Sequence, residues 1–192
     1  MVARWQPDAR GRLLRAALDL FTERGYDATT AAQIAERAGL TKTTLFRHFA
    51  DKREILFQGQ ETLVALAASA VAEAPRDASP FELLDAGVRA LCSIHADDQR
   101  EIGRQLNPLI AESAELRERA IFKRAAITDA LRSALAARLD DPRLASVLAD
   151  AGIRAYYDGF DAWVESTDDV PLEHVVLREL AAYEPLLPAS AD

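Results

Sequence analysis

The chain has 192 residues, of which 49% are apolar and 28% charged, and its formal net charge is −8. That is material for one or two domains with a real core, and no stretch approaches the roughly 18 to 20 continuous apolar residues of a membrane helix. One cysteine, Cys92, excludes an internal disulfide, and with no basic, apolar signal pattern at the N-terminus a reducing cytoplasm is the expected location.

Alanine and leucine dominate and β-branched runs are scarce, so an all-α fold of about nine helices is expected. Residues 1–7 form a short arm ending in Pro7. Its Arg4, with Arg10 and Arg12, is either a phosphate or minor-groove contact or part of a tail with no role. A first helix spans about 8–24, with Leu13, Leu14, Ala17, Leu18 and Phe21 at helical spacing and Gly25 at its end. Thr30 and Gln33 make a capping box for a second helix, in which Ile34, Ala35 and Ala38 share a face. Gly39 then turns the chain in the left-handed region. Thr41 caps a third helix with Leu45 and Phe49 as its buried stripe. Asp51 and Glu54 read as another capping box, opening a long helix to Glu73 with Ile55, Leu56, Leu63 and Val64 inward.

Two short helices joined through a glycine turn make a helix-turn-helix, here at about 31–50. A recognition helix offers its N-terminal residues to base edges and phosphates. Lys42, Thr43 and Thr44 are expected to touch bases, and Thr30, Thr41, Arg47, His48 and Lys52 to touch the backbone. Charge is divided to suit this. Residues 1–56 hold ten Lys plus Arg against seven Asp plus Glu, a balance of +3, while residues 57–192 hold thirteen against twenty-four, a balance of −11. A basic reading head on an acidic body follows.

Residues 8–57 resemble the DNA-binding domain of the TetR family of bacterial transcriptional repressors. The resemblance rests on Leu13-Leu14-x-x-Ala17-Leu18-x-Leu20-Phe21-x-x-x-Gly25-Tyr26, Ala28-Thr29-Thr30, Ile34-Ala35-x-x-Ala38-Gly39-Leu40, Thr41-Lys42-x-Thr44-Leu45-Phe46-x-His48-Phe49 and Lys52. It implies that Phe46 also belongs to the DNA-binding set. The family usually has tyrosine where Phe46 stands, so a hydroxyl able to bond a phosphate is missing. It often has glycine where Thr43 stands, so a side chain is added toward the groove. The resemblance further implies a homodimer built as a four-helix bundle from the last two helices, and a body that binds a small molecule and thereby releases DNA.

In the body, residues 75–80 break the helical pattern, and Phe81, Leu84, Val88, Leu91 and His95 form the next stripe. Asp97-Asp98 suggests a turn and a cap, and Asn107-Pro108 a further break. A helix over about 113–139 carries Leu116, Ala120, Ile127, Leu131 and Leu135. Asp140-Asp141-Pro142 starts another, to about Glu165, with Leu144, Val147, Leu148, Ala151 and Ala155 and with Gly152, Gly159 and Ala162 as small residues. The last helix spans 171–186 with Leu172, Val175, Val176, Leu180, Tyr183 and then Leu187. These last two helices carry more apolar positions than one buried stripe requires and small residues for close approach, which suits a dimer interface. A two-fold dimer sets two recognition helices about 34 Å apart on a palindromic operator.

The body, residues 58–188, is accordingly expected to bind a small apolar or amphipathic effector and to dimerise. Phe122, Tyr156, Phe160 and Trp163 with Arg104 as polar anchor are its candidate ligand residues, the alternative being plain core. Cys92-x-x-His95, with Asp98 or Glu101, falls short of the about four ligands of a closed metal site. The paired aspartates sit at helix boundaries, where capping accounts for them. With no nucleophile elbow or phosphate-cradling loop, neither catalysis nor a cofactor is expected. The rival to an effector-controlled repressor is a DNA-bound factor that recruits another protein.

Overall fold

The computed structural model describes residues 8–95 and 98–186. Arg4 of the arm, Asp97 of the expected cap and Leu187 of the last stripe lie outside the described residues. Those described form helices and connecting turns, with no strand among them. The chain divides into two compact units. One holds the described residues through Gln58 together with Arg104–Ala120, and the other holds Gly59–Gly103 and the described residues from Ile121 onward.

In the first unit, α1 (Ala9–Arg24), α2 (Ala31–Arg37) and α3 (Lys42–His48) follow one another. Leu13, Leu18, Phe21, Ile34 and Leu45 are each at most 2% exposed and form the core that apolar spacing marks in the sequence. Both members of the expected capping box at α2 are made, with the Thr30 hydroxyl accepting from the Gln33 amide and the Gln33 carbonyl oxygen accepting from the Thr30 amide. Gly39 turns the chain at φ 66. The buried Thr29 hydroxyl donates to the Gly25 carbonyl at 2.9 Å, which steadies the entry to α2.

The long helix expected from Asp51 does not start there. Asp51 Oδ1 accepts from the Arg53 and Glu54 amides, so the cap is present, but residues 51–59 form successive turns. Ile55, Leu56 and Phe57 are all buried, and three consecutive side chains about 100° apart cannot share one helix face. Helix α4 (Gln60–Glu73) begins only after Gly59, which stands at φ 84 and interrupts the helical repeat. From the later chain, Leu109 and Leu116 are buried, and Arg119 grips Glu54 with two nitrogens, at 2.6 and 2.9 Å, while its guanidinium lies over the Phe57 ring.

The second unit is built on α4, α5 (Pro80–Cys92), α8 (Pro142–Glu165) and α9 (Leu172–Tyr183), with part of α7 (Ala114–Ala136). Ser79 caps α5 through a capping box with Glu82, and Asp141 caps α8 with Pro142 at its first position. The Arg138 guanidinium donates to the carbonyls of Val71, Ala74 and Pro75, closing the C-terminal end of α4. Leu84, Val88, Leu91, Ile127, Leu131, Leu135 and Val176 are fully buried. Gly159 of α8 lets α9 come close, since a Cβ there would stand 2.7 Å from the Val176 Cα. Helix α6 (Asp98–Glu112), part of which belongs to each unit, runs through Pro108 rather than breaking before it. Proline there has no N–H to donate to the Arg104 carbonyl and its ring crowds that oxygen, a cost of about 3 kcal/mol.

Candidate nucleic-acid interface

Helix α3 divides its side chains cleanly. Leu45 is buried, as is Phe49 just beyond the helix, whereas Lys42, Thr43, Phe46 and Arg47 are exposed. The inward pair fixes the helix on the core, and the 3.6-residue repeat then turns the other row to solvent. Thr41 Oγ1 accepts from the Thr44 amide at 3.1 Å and lies 2.9 Å from the Thr44 hydroxyl, so these two candidate contact residues also cap the helix. Lys42 holds its ammonium 5.7 Å from the centre of the Phe46 ring, one helical turn on. His48 is half-buried with its ring 6.4 Å from that of Phe49. Thr30 is exposed, its hydroxyl engaged in the α2 capping box.

Lys52 is placed differently. Its ammonium donates to the Tyr26 carbonyl at 2.7 Å and to the Thr29 carbonyl at 2.9 Å, and lies 4.1 Å from the centre of the Tyr26 ring. Two of its three donors therefore tie the turn before α2, which leaves one for an outside partner. The Tyr26 hydroxyl donates to Glu115 at 2.9 Å. Burial, reinforced by that carboxylate, holds the phenol well above its ordinary pKa.

The candidate ligand residues fall in different places. Arg104 belongs to the first unit and is exposed. Tyr156, Phe160 and Trp163 belong to the second, where Tyr156 and Phe160 lie against His95 and Trp163 lies against Phe160. Phe122, also in the second unit, is 63% exposed. The Tyr156 side chain is 4% exposed, and its hydroxyl lies 2.6 Å from His95 Nε2. With the phenol as donor, a neutral His95 carries its proton on Nδ1, and that buried nitrogen has no partner. Burial, then the nearby Lys123 cation, lowers the His95 pKa to about 4. The same burial raises the Cys92 thiol to about 12 and the Tyr157 phenol to about 12. No group of three or more His, Cys, Asp or Glu able to hold a metal occurs among the described residues. The sequence marks His95 as a stripe residue and as part of Cys92-x-x-His95, but not its pairing with Tyr156, which spans 61 positions and leaves no local signal.

Residues 13–58 match the family model of the bacterial regulatory proteins, tetR family. Over that stretch the chain is similar to that family. The chain is 33% identical over 92 residues to the transcriptional regulator TcmR of Streptomyces glaucescens, covering 48% of this chain and 41% of TcmR. It is 47% identical over 47 residues to the repressor KstR2 of Mycobacterium tuberculosis, covering 24% of each chain. The chain thus spans less than half the length of these curated relatives. Its fold extends the likeness across the whole molecule: FadR of Thermus thermophilus, a TetR-family repressor solved with lauroyl-CoA, superposes with a TM-score of 0.52 at 23% identity, covering 95% of this chain and 97% of that one. The all-α architecture and the helix-turn-helix stand on these grounds. No helix among the described residues is long and apolar enough to cross a membrane.

Proposed function

We propose that this regulator is a homodimeric one-component repressor that binds a palindromic operator and is released by a small apolar or amphipathic ligand. The observation that carries the reading is the exposed row Lys42, Thr43, Phe46 and Arg47 on a capped helix whose other face is sealed into the core. Residues 8–57 are the DNA-binding domain in this reading, and residues 58–188 the effector-binding and dimerising body. Lys42, Thr43 and Thr44 meet base edges, while Thr30, Thr41, Arg47, His48 and Lys52 meet phosphate. Helices α8 and α9 join the two copies. Val147 at 50% exposed and the half-buried Leu144, Leu177 and Tyr183 support that interface. The dimer spaces two recognition helices by about 34 Å, one turn of duplex.

The effector reading is supported by the His95, Tyr156, Phe160 and Trp163 cluster, a group of aromatic rings with one buried imidazole nitrogen left unpartnered. FadR takes lauroyl-CoA, which joins an apolar chain to a polar head, and a ligand of that general build suits such a cluster. Phe122, in the same unit and 63% exposed, remains a candidate for its more exposed part. A tenfold preference for the non-binding state of the dimer corresponds to about 1.4 kcal/mol.

The test is selection of bound sequences from random duplex DNA at two salt concentrations. A palindrome with half-sites one turn apart is expected, and joint replacement Lys42→Ala and Thr43→Ala should abolish its selection in a protein that still folds. Sequence-blind binding that disappears with salt would leave only phosphate contact and sink the repressor reading. The second reading, a DNA-bound factor that recruits a protein, is favoured by Ile121 and Phe122, adjacent on α7 and 69% and 63% exposed. A thermal-shift screen separates the two, because an effector raises the melting temperature.

A further inference from the structure

We propose that Phe46 reads the 5-methyl group of a thymine in the major groove, an assignment that rests on the DNA-binding reading above. Residues 8–58 contain five aromatic rings of the Phe, Tyr and Trp type. Phe21, Tyr26, Phe49 and Phe57 are each at most 5% exposed, while Phe46 is 45% exposed. Its exposure is not a packing accident at a frayed end, because its sequence neighbour Leu45 is fully buried and fixes the register of α3. The ring is moreover steadied from within the helix, with the Lys42 ammonium 5.7 Å from its centre.

What Phe46 can recognise follows from what it lacks. Without a hydroxyl it neither donates to a phosphate nor accepts from a base amino group, so it offers only an apolar edge and a π face. Lys42, Arg47 and the exposed hydroxyl of Thr43 surround it in the sequence, and the two cations draw this row toward a polyanion. On the base edges of a duplex major groove, the group that matches an apolar ring is the thymine methyl. Burying ring and methyl against each other removes both from water, and the contact discriminates thymine from the other three bases at one position per half-site.

The experiment uses the full-length protein and the duplex it selects from random sequence. Each thymine of one half-site is replaced in turn by deoxyuridine, which keeps every hydrogen-bonding group and deletes only the methyl. The parent protein should lose about fourfold in affinity at one position, the size expected for one buried methyl. Phe46→Ala, an exposed substitution, should bind the thymine and deoxyuridine duplexes equally, and Phe46→Tyr, which keeps the ring, should retain the difference. Equal binding of both duplexes by the parent at every position overturns the assignment. So does a methyl effect that persists in Phe46→Ala, since another side chain then makes the contact. If no sequence is selected at all, the DNA-binding reading itself has failed, and that outcome is distinct from a selected site indifferent to its methyls.

Discussion

In the first unit, polar contacts to caps, carbonyls and carboxylates set much of the geometry. Thr30 and Thr41 cap their helices, Lys52 ties the carbonyls of Tyr26 and Thr29, and Arg119 pairs with Glu54. In the second, volume sets it: Gly159 meets the Val176 backbone, Gly152 leaves room for Leu84, and tilted rings pack against a half-buried histidine. The contrast has a physical consequence. A unit fixed by caps and ion pairs keeps polar groups at its surface, where they remain available to a charged partner. A unit fixed by interdigitation resists change in volume, and its core offers little polar chemistry beyond the unpartnered His95 Nδ1.

The contrast can be broken by substitution, beginning with the largest effect. Gly159→Leu forces side-chain atoms against the Val176 backbone and should cost about 3 kcal/mol, read as a lower urea midpoint. An unchanged midpoint would show that the second unit is not limited by volume. Next comes acid. His95 has its folded pKa lowered from 6.5 to about 4, so the fold favours the neutral ring. Its contribution is complete above pH 6.5 and is lost as pH falls from there toward 4, amounting to on the order of 2 kcal/mol between pH 7 and pH 4.5. His95→Gln should flatten the pH dependence of the urea midpoint by that amount, and parallel curves for the two proteins would dismiss the histidine.

Smaller effects are expected in the first unit. Lys52→Met removes two charge-assisted bonds to carbonyls and should cost about 1.5 kcal/mol, with faster amide hydrogen exchange across residues 26–29. Unchanged exchange would mean that the ammonium does not hold that turn. Thr41→Ala removes the cap of α3 at a cost of about 1 kcal/mol. The change should stay local, raising exchange at Thr44 and Leu45 and leaving the second unit untouched. If protection in both units fell together, the local character of the polar contacts would be refuted.

What was legible in the sequence follows the same division. Thr30 with Gln33, the turn at Gly39 and the stripe of Leu45 and Phe49 act over three to five positions, so their spacing foretells the helix-turn-helix. Asp51 with Glu54 had the right spacing for a helix start, and the cap bonds do form, but Gly59 delays the helix until Gln60. Pro108 reads as a break because the lost N–H is visible in the sequence, whereas the packing that carries α6 past it is not. Arg138 closing the end of α4, and His95 meeting Tyr156, join residues more than sixty positions apart. The Phe160 and Trp163 rings could be placed on a helix from their spacing, but their grouping with His95, and the assignment of Arg104 to the other unit, depend on the path of the whole chain.

Cys92 is the one thiol in the chain, buried and with its pKa raised to about 12. At neutral pH almost none of it is thiolate, so alkylating reagents pass over the folded protein. A single cysteine introduced on an exposed position, such as that of Ala32 in α2, would then be the one site that takes a spin or fluorescent label. In the proposed dimer, one probe per chain reports the spacing between copies, with no need to remove the native cysteine, and slow labelling of Cys92 itself becomes a clock for unfolding.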